Sequence, residues 1–165
     1  MGVVIRAVKI GKQITRKEYE SRRDNGDEGV VEVYSIDFHP IVHLPSVKAG
    51  CYEVEGRGKS ELSMCCSYYS RNFRDSLCRL VLEVPQERVF DDIIYYLGKP
   101  FVELINFADN EGCFDYKIAK KLLKDFEDYD TFCKVGLSKE LYRIYCVYKD
   151  ILKEAVSFKG VVEYR

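Results

Sequence analysis

The chain has 165 residues, 47% of them hydrophobic and 32% charged, with 26 basic against 27 acidic side chains. This profile excludes a disordered tail and a membrane-embedded domain, and it suits one domain over residues 1–165 that buries its core without metals or disulfides. A net charge of -1 also argues against a strongly nucleic-acid-binding surface, which carries a basic excess.

Residues 3–10 are rich in β-branched side chains and read as a strand ended by Gly11. Arg6 and Lys9 interrupt this apolar run too early for a secretory signal, and no stretch approaches the roughly 20 apolar residues of a membrane span. A cytoplasmic location is therefore expected. The charged stretch 12–28 reads as a solvated excursion, with Asn25, Gly26 and Gly29 marking a turn. Residues 30–38 alternate, Tyr34, Ile36 and Phe38 on one face, which predicts a half-buried strand. Pro40, Pro45 and Gly50 predict a loop, followed by a short strand over 51–55.

From Cys66 the period changes. Cys66, Tyr69, Phe73, Leu77, Leu80 and Val84 step by three or four residues, the spacing of an amphipathic helix, which Pro85 ends. Arg71, Arg74 and Arg79 fall on the opposite, wetted side. A second helical set, Val89, Phe90, Ile93, Ile94 and Leu97, stops at Gly98. After the apolar FVELINF and the turn-like ADNEG, a third helix starts near Asp115 with Ile118, Ala119, Leu122, Leu123 and Phe126 in its stripe. Ser138 is the predicted N-cap of a fourth helix that runs to about Gly160, and residues 161–164 read as a closing strand. Strands early, helices late and one strand returning predict an α+β fold: a small, mainly antiparallel sheet with about four helices packed on one face.

Seven cysteines form an odd set with no CxxC pair, so reduced thiols are expected, and only the adjacent Cys65 and Cys66 hint at redox chemistry. Three constellations carry other chemical suspicion. Asp37, His39 and His43 place both histidines and a carboxylate within seven residues, a candidate metal site, although Pro40 argues for a loop and not the helix on which HxxxH shares a face. Asp109 and Glu111 flank Asn110 ahead of Gly112; they are the candidate catalytic pair, with a helix-start turn as the structural alternative. Arg71 and Arg74 beside Tyr69 are candidate ligand-binding residues, since Arg pairs with phosphate and Tyr stacks on bases. The run Gly56, Arg57, Gly58, Lys59, Ser60 has Glu53 where a phosphate loop requires its first glycine, and reads as a polar loop.

Some stretches also resemble a known group. Residues 107–112 (FADNEG), 119–126 (AKKLLKDF), 160–164 (GVVEY) and the aromatic helix SYYSRNFRDSL at 67–77 are similar to elements of uncharacterised small proteins of bacteria and their phages, which begin MGLD and carry an FSDCEG motif. The likeness covers roughly residues 50–165; the opening MGVV lacks the acidic residue of MGLD. It implies a bacterial, prophage or mobile-element setting and brings no reaction with it. With no complete catalytic set, the expectation is a non-enzymatic protein-binding or modulating module working through a Tyr-rich surface, with a protein partner, no cofactor and no nucleic acid. The alternatives are a metal-dependent phosphoester or nucleotide hydrolase and a small anionic-ligand (nucleotide) binder.

Overall fold

The computed structural model describes residues 1–36 and 40–165. Strand β1 (Gly2–Ile14) continues past Gly11, because its end pairs with Tyr52 and Cys51 of the next long strand. Thr15 then caps helix α1 (Arg16–Asp24), its hydroxyl accepting from the Glu18 amide at 3.2 Å. The expected solvated excursion is thus a strand end and a surface helix. No residue of α1 is buried; the cap and one-turn ion pairs such as Arg16 to Glu20 (2.9 Å) support it instead of an apolar stripe.

Strand β2 (Val30–Val33) is shorter than predicted, and part of the predicted run lies outside the described residues. Strand β3 (Gly50–Cys65) is far longer than predicted. It contains the Gly56 to Ser60 run, so the expected polar loop there is strand, and the amides of Lys59 and Ser60 donate to the Glu154 carboxylate at 3.0 and 3.2 Å.

The first predicted helix consists of α2 (Cys66–Tyr68), a π-helical turn (Tyr69–Arg74) and α3 (Asp75–Leu82). The second breaks at Asp92 into α4 (Gln86–Asp91) and α5 (Ile93–Tyr96), and FVELINF supplies α6 (Val102–Ile105). Strand β4 (Gly112–Asp115), which the sequence did not reveal, precedes α7 (Tyr116–Asp128). Helices α8 (Asp130–Gly136) and α9 (Lys139–Phe158) lead into β5 (Val161–Tyr164), and the Ser138 hydroxyl caps α9 as predicted. The α+β class and the antiparallel sheet stand. The four-helix estimate is too low, because short helices lack the several turns that make a period visible.

The sheet order is β2-β3-β1-β5-β4, antiparallel throughout. One face presents Val3, Ile5, Ala7, Leu62, Phe114, Val162 and Tyr164 to the helices, where Phe101, Phe126, Tyr145 and Tyr148 form a buried aromatic lattice. The other face holds a smaller core of Val8, Val31, Val33, Tyr52, Cys113 and Val161. This second face is curled: the Cys113 amide donates to the Tyr34 carbonyl at 2.7 Å and the Asp115 amide to that of His43 at 2.9 Å. Backbone beyond β2 therefore covers the free edge of β4, a common defence of an exposed strand edge. Asp115 fixes this closure. It is fully buried, caps α7 through the amides of Lys117 (2.9 Å) and Ile118 (3.4 Å), and also accepts from the amides of Ser46 (2.6 Å) and Val47 (3.0 Å).

Candidate functional site

Curling the sheet opens a cleft of about 520 Å³ between β2 and the ends of β4 and β5. Its walls carry Tyr19, Arg23, Glu32, Tyr34, Asn110, Glu111, Glu163 and Arg165. Three stretches far apart in sequence meet here: Met1 and Gly2, residues 110–112, and Glu163 with Tyr164. Gly112 allows the approach. Its φ of +102° is a region that side chains disfavour, whereas the space around it, with the Tyr34 carbonyl oxygen 3.5 Å from an added Cβ, would accept one.

Glu111 stands on the cleft wall and accepts from the Tyr34 hydroxyl at 2.9 Å. Burial, with the Glu111 carboxylate added, pushes the Tyr34 phenol up to about 12. Asp109 is half-buried, and of the candidate catalytic pair only Glu111 is among the residues that line the cleft. Neither starts a helix, because β4 intervenes and Asp115 is the cap.

Of the candidate metal set, Asp37 and His39 lie outside the described residues. His43 is buried, with Nε2 3.3 Å from the Glu103 carbonyl and its ring at the edge of Phe107, centroids 4.9 Å apart. Among the described residues, no group of three or more His, Cys, Asp or Glu side chains is placed to hold a metal ion.

The ligand-binding candidates separate as well. Arg71 is exposed, but Tyr69 is fully buried and Arg74 only 4% exposed, which corrects the wetted placement expected for Arg74. The π turn is the reason: its wider i→i+5 spacing breaks the 3.6-residue phase and rotates Arg74 inward. Arg74 donates to the Phe107 carbonyl and, at 3.0 Å, to the Ser70 hydroxyl, and lies 5.3 Å over the Tyr69 ring. Tyr69 itself bonds Tyr164 hydroxyl to hydroxyl at 2.7 Å, and Tyr148 closes on the same Tyr164 oxygen. Arg74 and Tyr69 therefore knit the interior together and are not part of an anion-gripping surface.

The Tyr-rich surface is corrected on the same grounds. Of the 13 tyrosines only Tyr95 is exposed; the others are buried or half-buried. Phe132 and Val135 are exposed on α8, but the densest exposed apolar set lies on α4, α5 and the residue after them, where Phe90 (44% exposed), Ile94 (75%), Tyr95 (62%) and Leu97 (42%) crowd one short stretch. The signal for it was present in the sequence. The doublets Val89–Phe90, Ile93–Ile94 and Tyr95–Tyr96 supply more apolar side chains than one buried stripe uses, and Val89 and Tyr96 fill the core while their neighbours do not. Tyr95 is held in place: the Lys99 ammonium sits 3.8 Å above its ring, and the Tyr96 ring meets it edge-on at 5.0 Å.

Comparison with protein-family models, with curated proteins and with solved structures gives no match to this chain.

Proposed function

We propose that the chain is a non-enzymatic binding module that docks a protein partner through α4 and α5, in the bacterial or phage setting that the resemblance implies. The observation that carries this reading is the exposed set Phe90, Ile94, Tyr95 and Leu97 on one short stretch. Apolar side chains this concentrated at a surface lower the free energy when another surface covers them, and an aromatic ring already ordered loses little entropy on docking. Asp91 and Asp92 are exposed within the same stretch, so the complementary partner presents apolar side chains flanked by Lys or Arg.

A photo-crosslinking amino acid at position 94, in the cells that naturally express the chain, tests the reading. The expected outcome is one discrete heterologous adduct, lost when Asp91 and Asp92 are both changed to Lys and absent when the probe replaces Arg71. Adducts only to a second copy of the chain, or the same adducts from both probe positions, would overturn it.

A further inference from the structure

The cleft on the curled face is electrostatically divided. Among the described residues three carboxylates line it, and each is already engaged: Glu32 by Arg16, Glu163 by Arg6 at 2.9 Å, and Glu111 by the Tyr34 hydroxyl at 2.9 Å. The two arginines on its wall are not. Among the described residues, neither Arg23 nor Arg165 takes part in an ion pair. These same two residues also line a recess of about 260 Å³ that adjoins the cleft, with Gly26, Asp27 and Glu28. There Asp27 is taken by Arg22 at 2.6 Å, and Glu28 lines the same recess.

Positive charge is concentrated further by Arg57, which donates to the Glu28 carbonyl at the rim of the recess and whose Nε is buried with no hydrogen-bond partner. Burial first, then the field of Arg6, lower its pKa; Glu163 and Glu28 oppose this, and Arg165 adds a smaller lowering. Backbone bonds between Val4 and Arg165, 2.8 and 3.1 Å, tie the Arg165 backbone to β1. Elsewhere the cleft wall carries acceptors from Glu111 and Asn110 and the phenol of Tyr34, none of which lines the recess.

A ligand that suits both ends carries an oxyanion at one end and a flat, donor-bearing group at the other, within a volume typical of small-molecule sites, roughly 300–1,000 Å³. Guanidinium groups bind phosphate with directed, charge-assisted bonds, and phenol rings supply faces for a heterocycle. We propose that this cleft binds a nucleoside monophosphate, with the phosphate between Arg23 and Arg165 and the base against Tyr19 and Tyr34. The assignment is independent of the α4–α5 docking surface.

Titration calorimetry with the four common nucleoside 5′-monophosphates, with the nucleosides alone and with inorganic phosphate tests it. Saturable binding of at least one monophosphate is expected, about ten-fold or more tighter than either of its parts. Arg23→Gln with Arg165→Gln should weaken it about ten-fold or more, and Arg71→Gln, at an exposed arginine elsewhere, should leave it unchanged. Both altered residues are exposed, so the double variant should melt with the wild type, and amide shifts on titration should center on Tyr34, Gly112 and Arg165. Absence of saturable binding, equal affinity for phosphate alone, or an equal loss in Arg71→Gln would overturn the assignment.

Discussion

Replacing Asp115 with Ala tests how the two faces of the sheet are joined. The carboxylate accepts four backbone amides, two in the first turn of α7 and two in the segment that covers β4. Losing a helix N-cap costs about 0.5–2 kcal/mol, and the exposed first turn at Lys117 lets water replace part of it, so about 1 kcal/mol is assigned there. The Ser46 amide lies in an exposed residue and recovers water, for about 1 kcal/mol, whereas Val47 is half-buried and its amide loses a bond to a charged acceptor, about 1–2 kcal/mol. The sum is about 3–4 kcal/mol, which for a domain of this size lowers the melting temperature by roughly 10 °C. Urea unfolding measures the loss, and amide hydrogen exchange should show Ser46 and Val47 losing protection before the β1–β3 ladder does. A destabilisation below about 1 kcal/mol, within the range of a surface substitution, would refute the claim that this side chain closes the curled face.

Two further outcomes follow from the buried ionisable groups. The phenols of Tyr69, Tyr148 and Tyr164 and the thiol of Cys113 are raised by burial, and burial likewise pushes Cys78 up to about 12 and Cys133 to about 11. A raised folded-state pKa means that the unfolded chain loses these protons first, from about pH 9 for thiols and pH 10 for phenols. Their contribution is thus intact below pH 9 and falls as pH rises beyond it; urea midpoints between pH 7 and 11 should show a decline confined to the alkaline side, and a midpoint flat to pH 11 would contradict the burial of these groups. Cys65 behaves in the opposite sense. It is exposed, and hydrogen bonds from the Ser67 hydroxyl and from the amides of Ser67 and Tyr68 hold its thiol below the ordinary value. A disulfide reagent in limiting amount near neutral pH should label Cys65 before the other six cysteines, read by peptide mass, and Cys65→Ser should abolish the fast phase.

The order and kind of the main elements were legible because they rest on local chemistry. The Ser138 cap, the long stripe of α9 and the β-branched run of β1 are written in neighbouring residues, and local hydrogen bonds and side-chain periodicity need no distant partner to declare themselves. What escaped was set by contacts far apart in sequence. Strand β4 is four residues whose partners are β5 and the backbone at Tyr34, and β3 outruns its apparent length because β1 pairs with it through the Gly-rich stretch. Arg74 reads as a wetted residue until a π turn rotates it into the core, and periodicity places Tyr69, Tyr145 and Tyr148 in apolar stripes without showing that Tyr95 is the one tyrosine left exposed. Asp109 and Glu111 are two residues apart in the chain yet only Glu111 lines the cleft, which Arg23 and Arg165, far apart in sequence, share. The sequence by itself determined the α+β class, the start of α7 near Asp115 and the Ser138 cap of α9, since these depend on residues within a turn or two of one another. Only the tertiary structure decided which side chains face solvent together, because that depends on how the sheet curls and where long-range pairing brings the ends of the chain.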